Sequence, residues 1–327
     1  MPESFVVSGV RTPIGRYGGA LAHVRPDDLA ALVVGEAVAR AGIAPELVDE
    51  VVLGAANQAG EDNRNVARMA LLLAGLPDSV PGFTVNRLCA SGLTAVATAR
   101  ALIAAGDADV VVAGGVESMT RAPWVTEKPA KAFAKPGPSF DTSIGWRFTN
   151  PRFDAATTAS MPQTAETVAR RWGLTREELD AYALRSHERA VAAIKEGRFT
   201  GEIVPVPTDA GVVDTDEGPR PDTSLERLAR LRPVNGPDGV VTAGNSSSLN
   251  DGAAAVVVVS DRFLERHGLT PRARLVAAAN AGVAPEIMGV GPVPATRKAL
   301  ERAGGRRGLA TMCVGVGQGS ALLVERP

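Results

Sequence analysis

Two cysteines occur in the 327 residues, and both sit where thiol chemistry is possible. Cys89 lies in "VNRLCASGLTAVATARALIAAG", where an apolar run gives way to a helical one. An isolated cysteine is most often a small buried hydrophobe. The context here favours more. Cys89 follows a predicted strand and precedes a predicted helix, the edge at which ligand sites of α/β proteins gather. A helix N-terminus offers backbone N–H groups and partial positive charge, which lower a thiol pKa and can hold an oxyanion. Ala90, Ser91 and Gly92 let a second molecule come close to the backbone. Cys313 ends the predicted strand "GLATMC" and leads into "VGVGQG". Alone, that turn suggests only a tight connection between paired strands. As a partner to Cys89 at the matching place of a second half, it suits a reaction needing a nucleophile and a second acid/base thiol.

The three histidines offer less. His187, in "LRSHERA", reads as a solvated residue of an amphipathic helix; His267 precedes Gly268 and suits a helix C-terminus; His23 is in a loop. No spacing suggests metal ligation. "NSSSLNDG" (245–252) is turn-forming, and its functional reading is a lip where a ligand passes close to backbone.

The elements that must position these residues alternate between strand and helix. Strands are expected at 4–10, 48–54, "GFTVN" and 108–115. Helices are expected at 27–42, capped by Asp27 or Asp28 and stopped by Gly42, from Asn63 to about Ala74, and from about Ser91 to Ala105. Such spacing implies parallel pairing with crossover helices. Residues 118–248 differ: loops, then two helical runs, the second opened by Thr175 and Glu178 at capping-box spacing. The alternation resumes with strands at 252–260 and 273–283, a helix at 294–304, and strands at 308–315 and 320–326. "AVARAG" (37–42) resembles "ALERAG" (299–304), and "ADVVVAGGVES" followed by "AAAVVVVS" resembles "LATMCVGVGQG" followed by "ALLVER". If the halves are duplicates, two strand–helix units, roughly 60 residues, are absent between Gly304 and Gly308.

Composition bounds the partners. Hydrophobic residues make up 45% and charged residues 22%, and 35 basic residues nearly cancel 36 acidic ones. No strong field draws the chain to nucleic acid or membrane. No apolar run is expected to be long enough for a membrane helix, no signal segment opens the chain, and a reducing cytoplasm is the default for two cysteines.

These residues resemble those of the thiolases. "NRLCASGLTAV" is similar to the family's acyl-enzyme segment, "GGVESMTRAP" to the end of its first domain, "TAGNSSSLNDGAAAV" to its second signature, and "TMCVGVGQGSALLVE" to its C-terminal signature. "GRYGGAL", "ANQAGEDNRNVARM", "SIGWRFTNP" and "MPQTAETVA" resemble the branch acting on 3-oxoadipyl-CoA in aromatic-compound degradation, with a general acetyl-CoA acetyltransferase next. The resemblance implies an α/β fold of two duplicated mixed-sheet halves, the second shortened. It divides the chain into 1–117 (completed by 249–268), a loop domain at 118–248, and an incomplete half at 269–327. It implies that Cys89 carries the acyl group and that Cys313 is the acid/base thiol. Backbone N–H groups of Cys89 and Gly315 would form an oxyanion hole, and Met161, Arg220 and Ser247 would contact CoA. CoA enters as a co-substrate; no bound cofactor or metal is implied, and the partners are an acyl-CoA and further copies of the chain. A dicarboxylic substrate needs a cation for its far end, for which Arg64 and Arg147 are the candidates.

Three departures from the family stand out. Its N-E-A-F element and the G-H-P element, whose histidine activates the nucleophile, do not occur, and no histidine follows His267. Ser248 stands where the family favours glycine, crowding the CoA channel. The absence coincides with the junction at which the internal repeat is short. A positioned general base contributes about 10²–10⁴ and a lost oxyanion donor costs about 10²–10³, so a deficit of at least about 10⁴ is expected. The competing expectations are a non-catalytic CoA-binding or subunit-pairing remnant, and the product of an in-frame deletion.

Overall fold

The computed structural model describes residues 1–57, 60–301 and 308–326. The first series is β1 (Ser4–Arg11), β2 (Gly15–Arg16), α1 (Pro26–Ala41), β3 (Glu50–Gly54), α2 (Val66–Leu73), β4 (Gly82–Val85), α3 (Ser91–Ala105) and β5 (Val110–Ser118). A long excursion follows, with β6 (Trp124–Thr126), β7 (Ser139–Asp141), α4 (Met161–Trp172), α5 (Arg176–Lys195), β8 (Val206–Thr208), β9 (Gly211–Val213) and α6 (Leu225–Ala229). The chain returns through β10 (Asn250–Ser260) and α7 (Asp261–His267). The second series is β11 (Ala273–Gly282), α8 (Pro292–Glu301), β12 (Gly308–Val314) and β13 (Gln318–Glu325).

The strands β12-β13-β11-β1-β10-β5-β3-β4 form one sheet in that order, with β2 on β10. Parallel pairing holds only for β3 with β4 and with β5. The pairs β1–β10, β1–β11, β5–β10, β11–β13 and β12–β13 are antiparallel. The parallel pairing expected of the first series holds for β3, β4 and β5 but not for β1, and the whole sheet is mixed, as the family resemblance implied. The reason is connectivity: the excursion returns the chain to the end of the sheet at which β5 left it, with Asp251 beside Ser118, so β10 runs back antiparallel to β5. A three-residue turn joins β12 to β13 and permits only an antiparallel pair.

Strand alternation sends each apolar set to its own layer. Val110 and Val112 pack with α1 and α2 on one face, Val111 and Ala113 with α3 on the other. In β11, Leu275 packs with the α3 layer, whereas Ala277, Ala279 and Ala281 pack with Ala295 and Ala299 of α8. A bulge between Leu275 and Ala277 makes this switch of face possible.

Local signals held at several ends. Gly42 closes α1 in the left-handed region at φ 66°, and Thr175 with Glu178 forms a capping box on α5. The cap of α1 needs correction. The helix starts at Pro26 after Arg25, with no side-chain cap. Asp27 instead accepts two bonds from the Arg25 guanidinium, each 2.9 Å. The expectation of no membrane-length apolar run is also overturned. Leu88–Ala105 has mean hydropathy 1.6 over 18 residues, long and apolar enough to cross a membrane. Here that stretch packs through Ala95, Ala99 and Ile103 on the sheet, and its Arg100 donates to the carbonyls of Leu275 and Val276.

The duplication is visible in the strand order. Outward from the β1–β11 seam, β10 and β5 on one side correspond to β13 and β12 on the other. Beyond β5 come β3 and β4. Beyond β12 no strand follows among the described residues, and β12 exposes both faces, with Leu309 and Met312 each about 40% accessible. The junction 304–308, to which the missing units are assigned, lies outside the described residues apart from Gly308.

Candidate active site

Cys89 is exposed, one residue before the Ala90 N-cap of α3. The residue before it, Leu88, has φ 47°, a left-handed value disfavoured for a branched side chain. Neighbouring bonds hold this bend. Ser91 donates its N–H and its Oγ to the Leu88 carbonyl at 3.0 and 2.6 Å. The Arg87 N–H donates to Ser91 Oγ at 2.9 Å, and the Leu88 N–H donates to Asn86 Oδ1 at 2.8 Å. Asn86 Nδ2 in turn donates to the Ala56 carbonyl at 2.9 Å. The thiol is thereby lifted out at a helix start.

Glycine lets that helix start sit directly on the sheet. A methyl group on Gly54, at the end of β3, would lie 2.2 Å from the Ser91 carbonyl carbon and 2.3 Å from the Gly92 nitrogen. On Gly115 it would lie 2.8 Å from the Gly54 carbonyl oxygen.

The second cysteine comes from the other end of the chain. Cys313 is half-buried near the end of β12, and burial first, then the nearby Cys89, push its thiol pKa up. Cys89 is thus close enough for its charge to reach Cys313. Their positions in the two halves are not equivalent, which corrects the sequence expectation. Cys89 follows β4, whereas Cys313 lies in the counterpart of β5. Gly315 sits in the turn after β12. A methyl there would meet Trp146 Cη2 and Cζ2 at 3.3 Å and Leu88 Cδ1 at 3.4 Å, so this turn touches the residue preceding Cys89. Val316 and Gly317 carry φ 60° and 73° through the turn.

The other expected residues sit on separate segments of the chain. Met161 opens α4 and is exposed; its approach is fixed by Trp146 Nε1, which donates to the Ala159 carbonyl at 3.3 Å. Ser247 is exposed on a loop pinned by Asn245, which accepts the Thr242 N–H and donates to Asp180. Ser248 is exposed, with its Oγ donating to Asn250 Oδ1, 2.9 Å away. Arg220 is exposed, and its N–H donates to His187 Nδ1 at 3.2 Å. His187 is therefore not merely solvated, as its helix suggested. Among the described residues no hydrogen bond joins Arg220 or Ser247 to the cysteines. Arg64 is exposed with φ 68°, while Arg147 is half-buried and donates to Asn57 Oδ1 at 3.1 Å.

Residues 4–262 match the thiolase N-terminal domain. The chain belongs to the thiolase family. It is 49% identical to the β-ketoadipyl-CoA thiolase of Pseudomonas aeruginosa over 397 aligned positions, covering 99% of each chain. It is 55% identical to the 3-oxoadipyl-CoA/3-oxo-5,6-dehydrosuberyl-CoA thiolase of Escherichia coli over 311 positions, 93% of this chain and 78% of that one. The Bacillus anthracis acetyl-CoA acetyltransferase superposes with TM-score 0.91 at 36% identity, covering 100% of this chain and 99% of its own. Human mitochondrial 3-ketoacyl-CoA thiolase, solved with CoA, gives 0.90 at 30%, covering 100% and 98%. An alignment of 397 positions against 327 residues leaves at least 70 positions of the Pseudomonas thiolase facing a gap. That shortfall matches in size the two strand–helix units that the internal repeat lacks.

In this thiolase chain, two residues with a structural claim on the site, Trp146 and Glu117, escape sequence reasoning, and Ser91 does more there than its small size suggested. Trp146 lies against Gly315, a contact whose only sequence signal is a bulky aromatic in a polar loop. Ser91 holds the cysteine bend and is buried. Glu117, at the end of β5, accepts the N–H groups of Ala56 and Asn57. Burial pushes its carboxyl pKa up, the two backbone bonds oppose this, and Asp62 adds to the rise. His267 ends α7 before Gly268, as the sequence suggested, and it also stacks on Phe263 at 4.1 Å.

Proposed function

We propose that this chain catalyses thiolase acyl transfer on 3-oxoadipyl-CoA, with the acyl group carried on Cys89. The relatives named for that substrate support it, as does one observation above the others. The sheet order brings Cys313 and the Gly315 turn, from the last strands, against the Leu88–Cys89 bend.

The Cys89 thiolate, formed when the thiol loses its proton to solvent, attacks the 3-keto carbon, and the C2–C3 bond breaks with its electron pair leaving on the acetyl-CoA carbon. The Cys313 thiol protonates that carbanion, a role suited to a group whose raised pKa keeps its proton at neutral pH. Succinyl remains as a thioester on Cys89. Incoming CoA gives its thiol proton to the Cys313 thiolate, attacks the thioester carbonyl and releases succinyl-CoA. The N–H groups of Cys89 and Gly315 would hold the carbonyl oxygen in both steps. CoA is a co-substrate and no resident cofactor takes part.

Among the described residues no hydrogen bond joins His23, His187 or His267 to Cys89; His187 accepts from the Arg220 N–H and His267 stacks on Phe263. An unassisted thiol is only a few per cent thiolate at neutral pH. Turnover at least about 10⁴ below that of a thiolase with a positioned base follows. The test is a coupled assay of CoA-dependent cleavage of 3-oxoadipyl-CoA, with mass-spectrometric detection of succinyl-Cys89. A rate no higher than that of Cys89→Ala, with no acylated peptide, rejects the proposal. The missing base favours a second reading, a CoA-binding subunit that no longer turns over, for which acetyl-CoA binding without acylation is the expected outcome.

A further inference from the structure

Resting on the acyl-transfer reading above, we propose that Arg147 is the cation that receives the distal carboxylate of the acyl group on Cys89. Two separate paths tie Arg147 to the cysteine. The first runs through its neighbour in sequence: Trp146 packs on Gly315, and Gly315 on Leu88. The second runs through its hydrogen-bond partner. Asn57 follows Ala56, whose carbonyl accepts from Asn86, and Asn86 in turn fixes the Leu88 N–H. Both paths end one residue from Cys89.

The electrostatic state of Arg147 suits a ligand. Its Nη2 donates to Asn57 Oδ1, a neutral acceptor, and no carboxylate pairs with it among the described residues. Nearby arginines are already matched: Arg121 with Glu61, and Arg25 with Asp27 and Glu61. A guanidinium has five donors in a planar fork shaped for a carboxylate, and one contact leaves most of the fork available.

Asn57 holds the guanidinium in place. Its Nδ2 donates to Thr142 Oγ1 at 2.9 Å and its N–H to Glu117 Oε1 at 3.3 Å, which leaves Oδ1 directed at Arg147. Glu117 does not compete as a counter-ion, because its carboxylate oxygens face the Ala56 and Asn57 N–H groups and burial favours its neutral form. Arg64, the other candidate, is exposed on a left-handed turn, and among the described residues no hydrogen bond holds its guanidinium.

The test uses half-reaction substrates that differ only at the far end. Cys89 sulfur attacks succinyl-CoA or butyryl-CoA; the new S–C bond forms as the bond to the CoA sulfur breaks, and the thiol proton passes to CoA. Acylated Cys89 is followed by mass spectrometry. The full chain is expected to prefer succinyl-CoA by about 10–100-fold, the worth of a charge-assisted carboxylate contact. Arg147→Met brings the ratio near one, and Arg147→Lys recovers part of it. A merely structural arginine would lower both rates together and leave the ratio intact, which overturns the inference. Calorimetric binding of the two thioesters to Cys89→Ala and to Cys89→Ala/Arg147→Met reads the same preference without chemistry. Equal binding in both proteins also overturns it. If binding shows the preference while neither thioester acylates Cys89 in the full chain, the acyl-transfer reading fails and the Arg147 assignment stands.

Discussion

Adding one methyl group at Gly54 tests whether the close seating of α3 on the sheet is what presents Cys89. The Cβ of Gly54→Ala would lie 2.2 Å from the Ser91 carbonyl carbon, 2.3 Å from the Gly92 nitrogen and 2.6 Å from the Ser91 oxygen. Carbon atoms normally approach no closer than about 3.5 Å, so the helix start must retreat by more than about 1 Å. All three atoms are backbone, so no rotamer change relieves the clash. Overpacking of this kind costs about 1–3 kcal/mol. A shift of 1 Å in a reacting group costs on the order of 10² in rate. Gly35→Ala, inside α1, is the matched control. Its Cβ meets Ala74 Cβ at 3.7 Å and the Ala74 carbonyl oxygen at 3.9 Å, both ordinary contacts, and the change should stabilise by about 0.5–1 kcal/mol. The assay is the rate of Cys89 acylation by succinyl-CoA, with denaturant unfolding alongside. Gly54→Ala should acylate about 10²-fold more slowly and unfold earlier; Gly35→Ala should do neither. A Gly54→Ala protein that acylates at the parent rate refutes the seating argument.

Cys313, whose thiol pKa is raised by burial and by Cys89, should resist iodoacetamide until the pH passes the ordinary thiol range. In Cys89→Ser the onset should move to lower pH, because the Coulombic part of the shift is gone; an unmoved onset would separate the two thiols. Thr175→Ala removes an acceptor for the Glu178 N–H, and equilibrium unfolding should show a loss of about 1 kcal/mol. Met312→Lys places a charge on the open, uncharged strand β12, and light scattering should show less concentration-dependent association. Equal scattering by both proteins would remove β12 as the sticking edge.

Much of the scaffold was legible because its signals are local. Gly42 ends α1, Thr175 with Glu178 starts α5, and α3 spans Ser91–Ala105 as its apolar spacing indicated. The same local logic misjudged α1's start, since a guanidinium at Arg25 outcompeted the helix N–H groups for Asp27. The parallel pairing read from the first series reached only β3, β4 and β5; β1 takes β10 and β11 as antiparallel neighbours, which depends on where a long excursion returns the chain.

The residues themselves determine that two thiols exist, that one stands at a helix start, and that no histidine lies in the last sixty residues or so to serve them. Only the tertiary structure decides that Gly315 rests on Leu88, that Trp146 covers this turn, and that Arg147 faces Asn57 rather than a carboxylate. Helix ends and strand periods are set by neighbours within one or two turns of backbone. Convergence at the site is set by sheet order and by how closely glycine lets two backbones approach, and neither is written in any short stretch of chain.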